Sequence, residues 1–356
     1  MSHTFETTGS APSMTIGLDL GDRKSVVYAI DADGTRVDTR AIATTPDALR
    51  RYFGARARCR VVLEVGTHSP WSARLLGTLG HEVLVANPSA MYGARRRKRN
   101  DQMDAEFLAR QGRADVRLLH PIQHRCEAAQ THLEVLRARD QVVATRTKLI
   151  NHVRGSVKST GVRLPAASAE AFVRRVSPTI PLPLVPILAP MLAMITALTA
   201  TITQYDAQIA TLIADQYPAA QRLQQPAGVG PITALAYVLL VDDPTRFAKS
   251  RDLGAYFGLV PKLDESSGST PQLRITKAGD PFGRRLLVSA AHYILGPFGP
   301  PCDLRRAGEA LMIRGGPNAK KRAVIAVARR LAVLLHQLWI HDTPYAPDYL
   351  LQRRAA

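Results

Sequence analysis

The chain has 356 residues, a formal net charge of +18, a hydrophobic share of 46% and three cysteines. Such a length suits two or three domains with packed cores, and the charge surplus favours a polyanionic partner over a neutral or acidic one. Cys59, Cys126 and Cys302 are widely spaced and form no C-x-x-C pair, which argues against a zinc ribbon or a disulfide framework and fits a reducing cytoplasm.

Residues 1–13 contain no apolar run and read as a flexible leader rather than a signal peptide. Residues 14–120 then alternate between two periodicities. T-I-G-L-D-L-G-D-R-K-S-V-V-Y-A-I-D-A-D-G predicts strand, turn, strand and a turn at Asp33-Gly34. The unbroken apolar centre of Cys59–Val65 predicts a strand inside a sheet. Pro70 to Leu79 predicts a helix, His81–Asn87 a strand, and a further helix begins near Asp101. This alternation predicts an α/β domain.

Residues 121–224 predict a long helical hairpin or coiled-coil spacer. Leu136, Val143, Ile150 and Val157 recur every seventh residue, and Met191, Ile195, Leu198, Ile202, Tyr205, Ile209 and Leu212 step by four and three. That seam suits either an intramolecular antiparallel pair or an oligomer. Pro181 to Ile202 is uncharged and about one bilayer thickness long. Its prolines Pro181, Pro183, Pro186 and Pro190 predict a buried bend between two helices rather than a membrane span. Residues 225–340 predict a mostly helical domain with one polar, Gly-rich insert, L-D-E-S-S-G-S-T-P-Q-L-R-I-T-K-A-G-D, and residues 341–356 an irregular tail.

Asp19 and Glu64 sit inside apolar strands, where an ionised carboxylate is costly unless it is paired or bound to a metal. Asp101 and Asp104 lie three apart at a helix start, hence on one face. Taken singly, Asp19 suits a turn, Asp101 an N-cap and Asp104 a first helical turn. Taken together, four converging acids require divalent cations, and an all-oxygen donor set suits Mg²⁺ or Mn²⁺. The opening G-L-D-L-G also occurs in actin-like ATPases and sugar kinases, but no second Gly-rich phosphate loop follows.

The insert carries Ser266, Ser267 and Ser269 around Gly268, with Arg274, Lys277, Arg284 and Arg285 downstream. A hydroxyl beside clustered cations suits attack on a phosphodiester, although S-S-G by composition alone is a loop. His292 is a candidate base that equally suits a structural role. Gly228 and Gly230 open a helix whose amides suit a DNA phosphate or a plain turn. Arg95, Arg96, Arg97, Lys98 and Arg99 directly precede Asp101, and Lys320, Lys321 and Arg322 form a second basic run with Arg329 and Arg330. Both runs suit a phosphate backbone.

These motifs occur in one order. G-L-D at Asp19, L-E at Glu64 and D-x-x-D-A at Asp101, Asp104 and Ala105 come first. G-V-G-P-I-T-A from Gly228, F-G-L-V-P from Phe257, S-G at Ser267, I-T-K-A-G-D from Ile275, R-R-L-L from Arg284 and K-K-R-A-V-I-A-V-A-R-R-L from Lys320 follow. The string resembles the DEDD transposases of insertion-sequence family one-hundred-and-ten, also called bridge-RNA-guided recombinases, and their relatives the Piv-type DNA invertases. The resemblance implies an α/β ribonuclease H-like (RuvC-like) domain over residues 14–120, the helical spacer, and a mostly α domain bearing a catalytic serine over residues 225–340. It implies that Asp19, Glu64, Asp101 and Asp104 bind metal and that Ser267, or its neighbour Ser266, forms a covalent phosphoserine link to DNA. Lys277 and Arg284 would touch phosphates. Thr276 stands where the family often has serine, and it keeps the hydroxyl. The implied partners are donor and target DNA, an element-encoded structured guide RNA and further copies of the chain in a dimer to tetramer. The implied location is the bacterial cytoplasm with its nucleoid, with no membrane. The competing expectations are a metal-dependent nuclease or Holliday-junction resolvase with a structural Ser267, and a non-catalytic nucleic-acid-binding protein.

Overall fold

The computed structural model describes residues 12–88, 100–262 and 273–349. The chain divides into two compact units, Met1–His124 and Arg125–Ala356.

In the first unit β1 (Met14–Asp19) and β2 (Lys24–Asp31) run antiparallel, and β3 (Arg36–Ala43) adds antiparallel to β2. The Asp31 carboxylate accepts the Asp33 and Thr35 amides and Gly34 takes a φ of 84°, which closes the β2–β3 turn. Helix α1 (Pro46–Phe53) follows, capped by Thr45 with Pro46 in its first turn. Then come β4 (Arg60–Glu64), α2 (Ser69–Thr78), β5 (Glu82–Ala86) and α3 (Asp101–Ala114). β4 lies parallel to β1, and β5 parallel to β4, so the sheet order is β3-β2-β1-β4-β5.

Side chains alternate across a strand. Ile16, Leu18, Val61 and Leu63 therefore share one face, where they pack with Leu49 and Phe53 of α1 and Leu76 of α2. The opposite face carries Val62, Leu84 and Ala86, packed with Leu108 of α3, and Tyr28 and Ile30, packed with Ala105 and Ala109. Helices thus cover both faces of a mixed sheet, α1 and α2 on the first and α3 with the short turn Val116–Leu119 on the second.

The second unit is helical. Helices α4 (Glu127–Lys158) and α6 (Val185–Asp215) form an antiparallel pair, because Arg139 meets Asp206 while Arg146, further along α4, meets Thr199, further back on α6. Leu188, Ile195, Ile202 and Ile209 recur every seventh residue and are all buried. On α4, Leu136, Ile150 and Val157 are buried and Val143 only partly so. The short α5 (Phe172–Val176) closes the distal end against Val153 and Val157.

Two expectations for the proline-rich stretch hold only in part. Only the start of the stretch marks the bend: Pro181 and Pro183 lie in the connection before α6, whereas Pro186 lies in its first turn and Pro190 inside it. First-turn amides have no intrahelical partner, so proline there begins a helix instead of breaking it. Nor is the stretch buried. Leu188, Ile195 and Ile202 are covered, while Leu182, Val185, Ile187 and Met194 are exposed. By length and composition two helices are apolar enough to cross a membrane, Leu182–Asp215 and Ala319–His341.

Helices α7 (Pro218–Arg222), α8 (Pro231–Val241), α9 (Leu253–Tyr256), α10 (Pro281–Leu295), α11 (Asp303–Ile313) and α12 (Ala319–His341) complete the unit. α8 is buried from Ala234 to Val241 and sits at the centre of a core shared with Leu287, Ile294, Leu331 and Leu335. Leu133 and Leu136 of α4 and Ile209 and Ile213 of α6 join the same core.

Candidate functional site

Asp19 is the last residue of β1 and Glu64 the last of β4. The two strands are parallel neighbours in which Leu18 stands beside Leu63. One residue further on, Asp19 and Glu64 therefore lie side by side at the same strand ends. Both point away from the Leu18–Leu63 face, hence toward α3. Asp19 is a strand residue, paired in register with Val26, not a turn residue. Asp101 and Asp104 occupy the first turn of α3, whose N-cap is Asn100, which accepts the Met103 amide. Neither acid is therefore needed as the cap. Asp101 is exposed, and Asp104, Asp19 and Glu64 are half-buried.

Gly17 sets the distance between helix and strand. A Cβ added there would lie 1.9 Å from the Ala105 carbonyl oxygen and 2.7 Å from the Ala109 nitrogen. The glycine of G-L-D and the alanine of D-x-x-D-A thus oppose each other, and their small size lets α3 rest on β1. That seating carries Asp101 and Asp104 to the end of the strand where Asp19 lies. Sequence reasoning passed over Gly17 and Ala105 as site determinants, although two small residues beside two acid pairs were the available sign. Gly17→Ala is expected to lower stability by about 3 kcal/mol, because backbone atoms must move to admit the methyl group. Denaturant unfolding of the two proteins measures this directly.

Burial first, and then the like charges of Asp101, Asp104 and Glu64 in that order of strength, together raise the Asp19 carboxyl from its ordinary 3.8 to about 6. All four acids therefore share one electrostatic site. Among the described residues, no three His, Cys, Asp or Glu side chains form a preassembled ligand cluster. The donor set fits a hard divalent cation, whose binding would displace the proton that Asp19 keeps below about pH 6.

Asp19 binds its proton more tightly in the folded chain than in the unfolded one. Its contribution to stability is therefore constant below about pH 4, falls as pH rises from about 4 to 6, and is flat above. Thermal melting in a chelator is expected to show this decline, and Mg²⁺ to remove it.

In the second unit the F-G-L-V-P and I-T-K-A-G-D segments fold against each other. A Cβ on Gly258 would lie 2.1 Å from the Ala278 oxygen, and one on Gly279 1.9 Å from the Tyr256 oxygen. Pro261 and Ile275 form an antiparallel bridge, and the Lys262 amide donates to the Arg274 carbonyl at 2.9 Å. Arg274 and Lys277 are exposed, with Lys277 at a φ of 55°. Arg284 donates through Nη1 to the carbonyls of Phe257 and Ala278 at 3.2 and 2.9 Å, so it braces this fold. Asp280 caps α10 by accepting the Phe282 and Gly283 amides and also pairs with Arg137 at 2.8 Å. Gly228 takes a φ of 80° and Gly230 precedes α8, whose first amides carry no side-chain cap. Lys320 and Lys321 are exposed in the first turn of α12, and His292 is exposed on the last turn of α10. Ser266, Ser267 and Ser269, and Arg95 to Arg99, lie outside the described residues.

Comparison with known proteins adds a second line. Residues 16–161 match the family model of IS110-type DEDD proteins, described as a transposase. Residues 220–300 match the model described as the transposase IS116/IS110/IS902 family. The chain is 28% identical over 343 residues to a probable family 20 transposase of Pseudomonas aeruginosa, covering 93% of this chain and 98% of that protein. It is 28% identical to the transposase for insertion sequence element IS1328 of Yersinia enterocolitica, over 79% of this chain and 84% of that one. It is 26% identical to the transposase for insertion sequence element IS1111A of Coxiella burnetii, over 93% and 90%.

Proposed function

The chain belongs to the IS110 family of DEDD transposases, enzymes that cut and transfer DNA strands, and from that premise we propose that it acts through a four-carboxylate metal site and a serine nucleophile. Asp19, Glu64, Asp101 and Asp104 hold Mg²⁺ or Mn²⁺ at the ends of β1 and β4. The cations, when bound, neutralise charge on the attacked phosphate and stabilise the leaving oxygen. Ser267 attacks the scissile phosphodiester. Its Oγ–P bond forms, the P–O bond to the leaving strand breaks, and the hydroxyl proton passes to the leaving oxygen. The free hydroxyl of a second strand then attacks the phosphoserine, releasing Ser267 with a proton and sealing the new joint.

The observation that carries this reading is the shared charge of the four acids at one sheet edge, felt by Asp19 as a carboxyl raised to about 6. The strand order β3-β2-β1-β4-β5 supports a ribonuclease H-like, RuvC-like domain over residues 14–120. Exposed Arg274, Lys277, Lys320 and Lys321 support DNA contacts, as do the amides beyond Gly228 and Gly230. The exposed apolar side of α6 supports assembly of several copies. A structured guide RNA completes the proposal on the strength of the family alone, and the same holds for residence in the bacterial cytoplasm.

The test uses full-length protein, Mg²⁺ and end-labelled DNA spanning an element junction. Label that stays with the protein after denaturation is the expected result. Cleavage without such an adduct identifies a nuclease that activates water.

A further inference from the structure

The Asp280 carboxylate closes the I-T-K-A-G-D segment, and both of its oxygens are engaged. Oδ1 accepts the Phe282 and Gly283 amides at 2.8 and 3.0 Å, which caps α10. Oδ2 accepts Nη2 of Arg137 from α4 at 2.8 Å, and only 11% of the Asp280 side chain is exposed. Packing places Arg137 there. Leu133 and Leu136 of α4 are buried in the core that Leu287 of α10 shares. Arg137 and Asp140, three apart on the adjoining face of α4, then meet Asp280 and Arg285, the second pair at 2.7 Å. Glu134, one turn back, accepts Nη1 of Arg137 at 2.7 Å.

The pairing matters for what it withholds from a neighbour. The α10 cap uses only Oδ1, so it survives without Arg137. Oδ2 would then carry its charge largely out of water with no partner, which is costly. Within five residues of Asp280 the cations are Lys277, Arg284 and Arg285. Arg284 is held by the Phe257 and Ala278 carbonyls, and Arg285 by Asp140. Lys277 is exposed and makes no side-chain bond among the described residues. It stands three residues before Asp280, and its flexible stem lets the ammonium fold back onto a freed oxygen. The main chain would not follow, because Thr276 and Lys277 donate their amides to the Val260 and Gly258 carbonyls at 2.9 and 3.1 Å. These bonds keep Lys277 at a φ of 55°, a strained setting that persists only where neighbours impose it.

We propose that Arg137 is a positioning residue: it occupies the Asp280 carboxylate and so leaves the Lys277 ammonium free to meet a phosphate of the DNA. This rests on the DNA contact given to Lys277 above and adds the residue that keeps that contact available. Arg137 itself touches no DNA in this role. It acts from the helical hairpin, through one carboxylate, on a cation of the I-T-K-A-G-D segment.

The test measures binding of full-length proteins to duplex DNA spanning an element junction at several salt concentrations. One phosphate contact contributes about one to the slope of log affinity against log salt. Arg137→Ala is expected to flatten the wild-type slope by about one, and Lys277→Ala to do the same. Arg137→Ala added to Lys277→Ala is expected to flatten it no further. Asp280→Asn keeps the cap, since asparagine caps as well as aspartate, and removes the competing charge. Arg137→Ala combined with Asp280→Asn is therefore expected to regain the wild-type slope, which a merely structural ion pair would not do with both partners gone. Arg137→Lys, which keeps the charge, is expected to match wild type. Arg137→Met keeps the packed stem and carries the same expectation as Arg137→Ala, and melting curves verify each fold. A wild-type slope in Arg137→Ala and Arg137→Met overturns the proposal, as does a failure of Asp280→Asn to restore it. A further loss in the Lys277→Ala background also overturns it, because Arg137 would then touch DNA directly. Wild type that does not bind the DNA overturns the proposed function itself.

Discussion

Asp19→Asn is expected to lower metal-dependent strand cleavage by more than about 100-fold while leaving the fold intact. Partners one step removed from a metal are already worth about 10–100-fold, so a direct ligand is worth more. Asparagine keeps the shape and one acceptor oxygen but removes the charge that pairs with a cation. The fold tolerates the change because ionised Asp19 is opposed by its burial and by Asp101, Asp104 and Glu64. In a chelator the variant is therefore expected to melt at or above the wild-type temperature above pH 6, and the decline between pH 4 and 6 is expected to disappear. Cleavage followed against Mg²⁺ concentration, together with melting curves, separates lost chemistry from lost structure. Undiminished cleavage by the variant contradicts the role given to Asp19.

Ser267→Ala is expected to have the largest effect, abolishing the protein–DNA adduct and reducing strand transfer by about 10⁴-fold or more. Removal of the nucleophile of a covalent enzyme leaves only binding and electrostatic stabilisation. The exposed cations that flank the segment, Arg274 and Lys277, remain, so DNA affinity is expected to be unchanged. Ser266→Ala is expected to keep the adduct. Should Ser266→Ala lose it and Ser267→Ala retain it, the nucleophile is the neighbouring serine. If both variants keep cleaving without an adduct, the carboxylate site acts alone on water.

Patterning and turn signals made β1, β2, β5, α2 and α3 legible before any coordinates, and an unbroken apolar run did the same for β4, which is buried on both faces. β3 escaped notice. R-V-D-T-R-A-I-A is an edge strand with no fully buried residue, so burial imposes no period on it. α1 escaped too, although Thr45 and Pro46 spell out its cap and first turn. The heptads of α4 and α6 were legible, but whether they meet within one chain is a matter of connection, which a repeat does not encode. The prolines of α6 misled because Pro186 falls in the first turn, where no amide partner is lost, and the helix continues through Pro190, and a composition count shows neither.

The acids illustrate the same division. Their types and spacing were visible, and strand register alone places Asp19 and Glu64 side by side. The contact of Gly17 with Ala105, which seats Asp101 and Asp104 beside them, joins residues far apart in the chain and is invisible to any local pattern.

Titration of Mn²⁺ into full-length protein at pH 7.5, followed by calorimetry or by the electron-spin signal of the free ion, tests the joint metal site without relying on turnover. The four-carboxylate account predicts saturable binding in wild type that Asp19→Asn and Asp104→Asn each weaken sharply. Identical binding isotherms for all three proteins would contradict it.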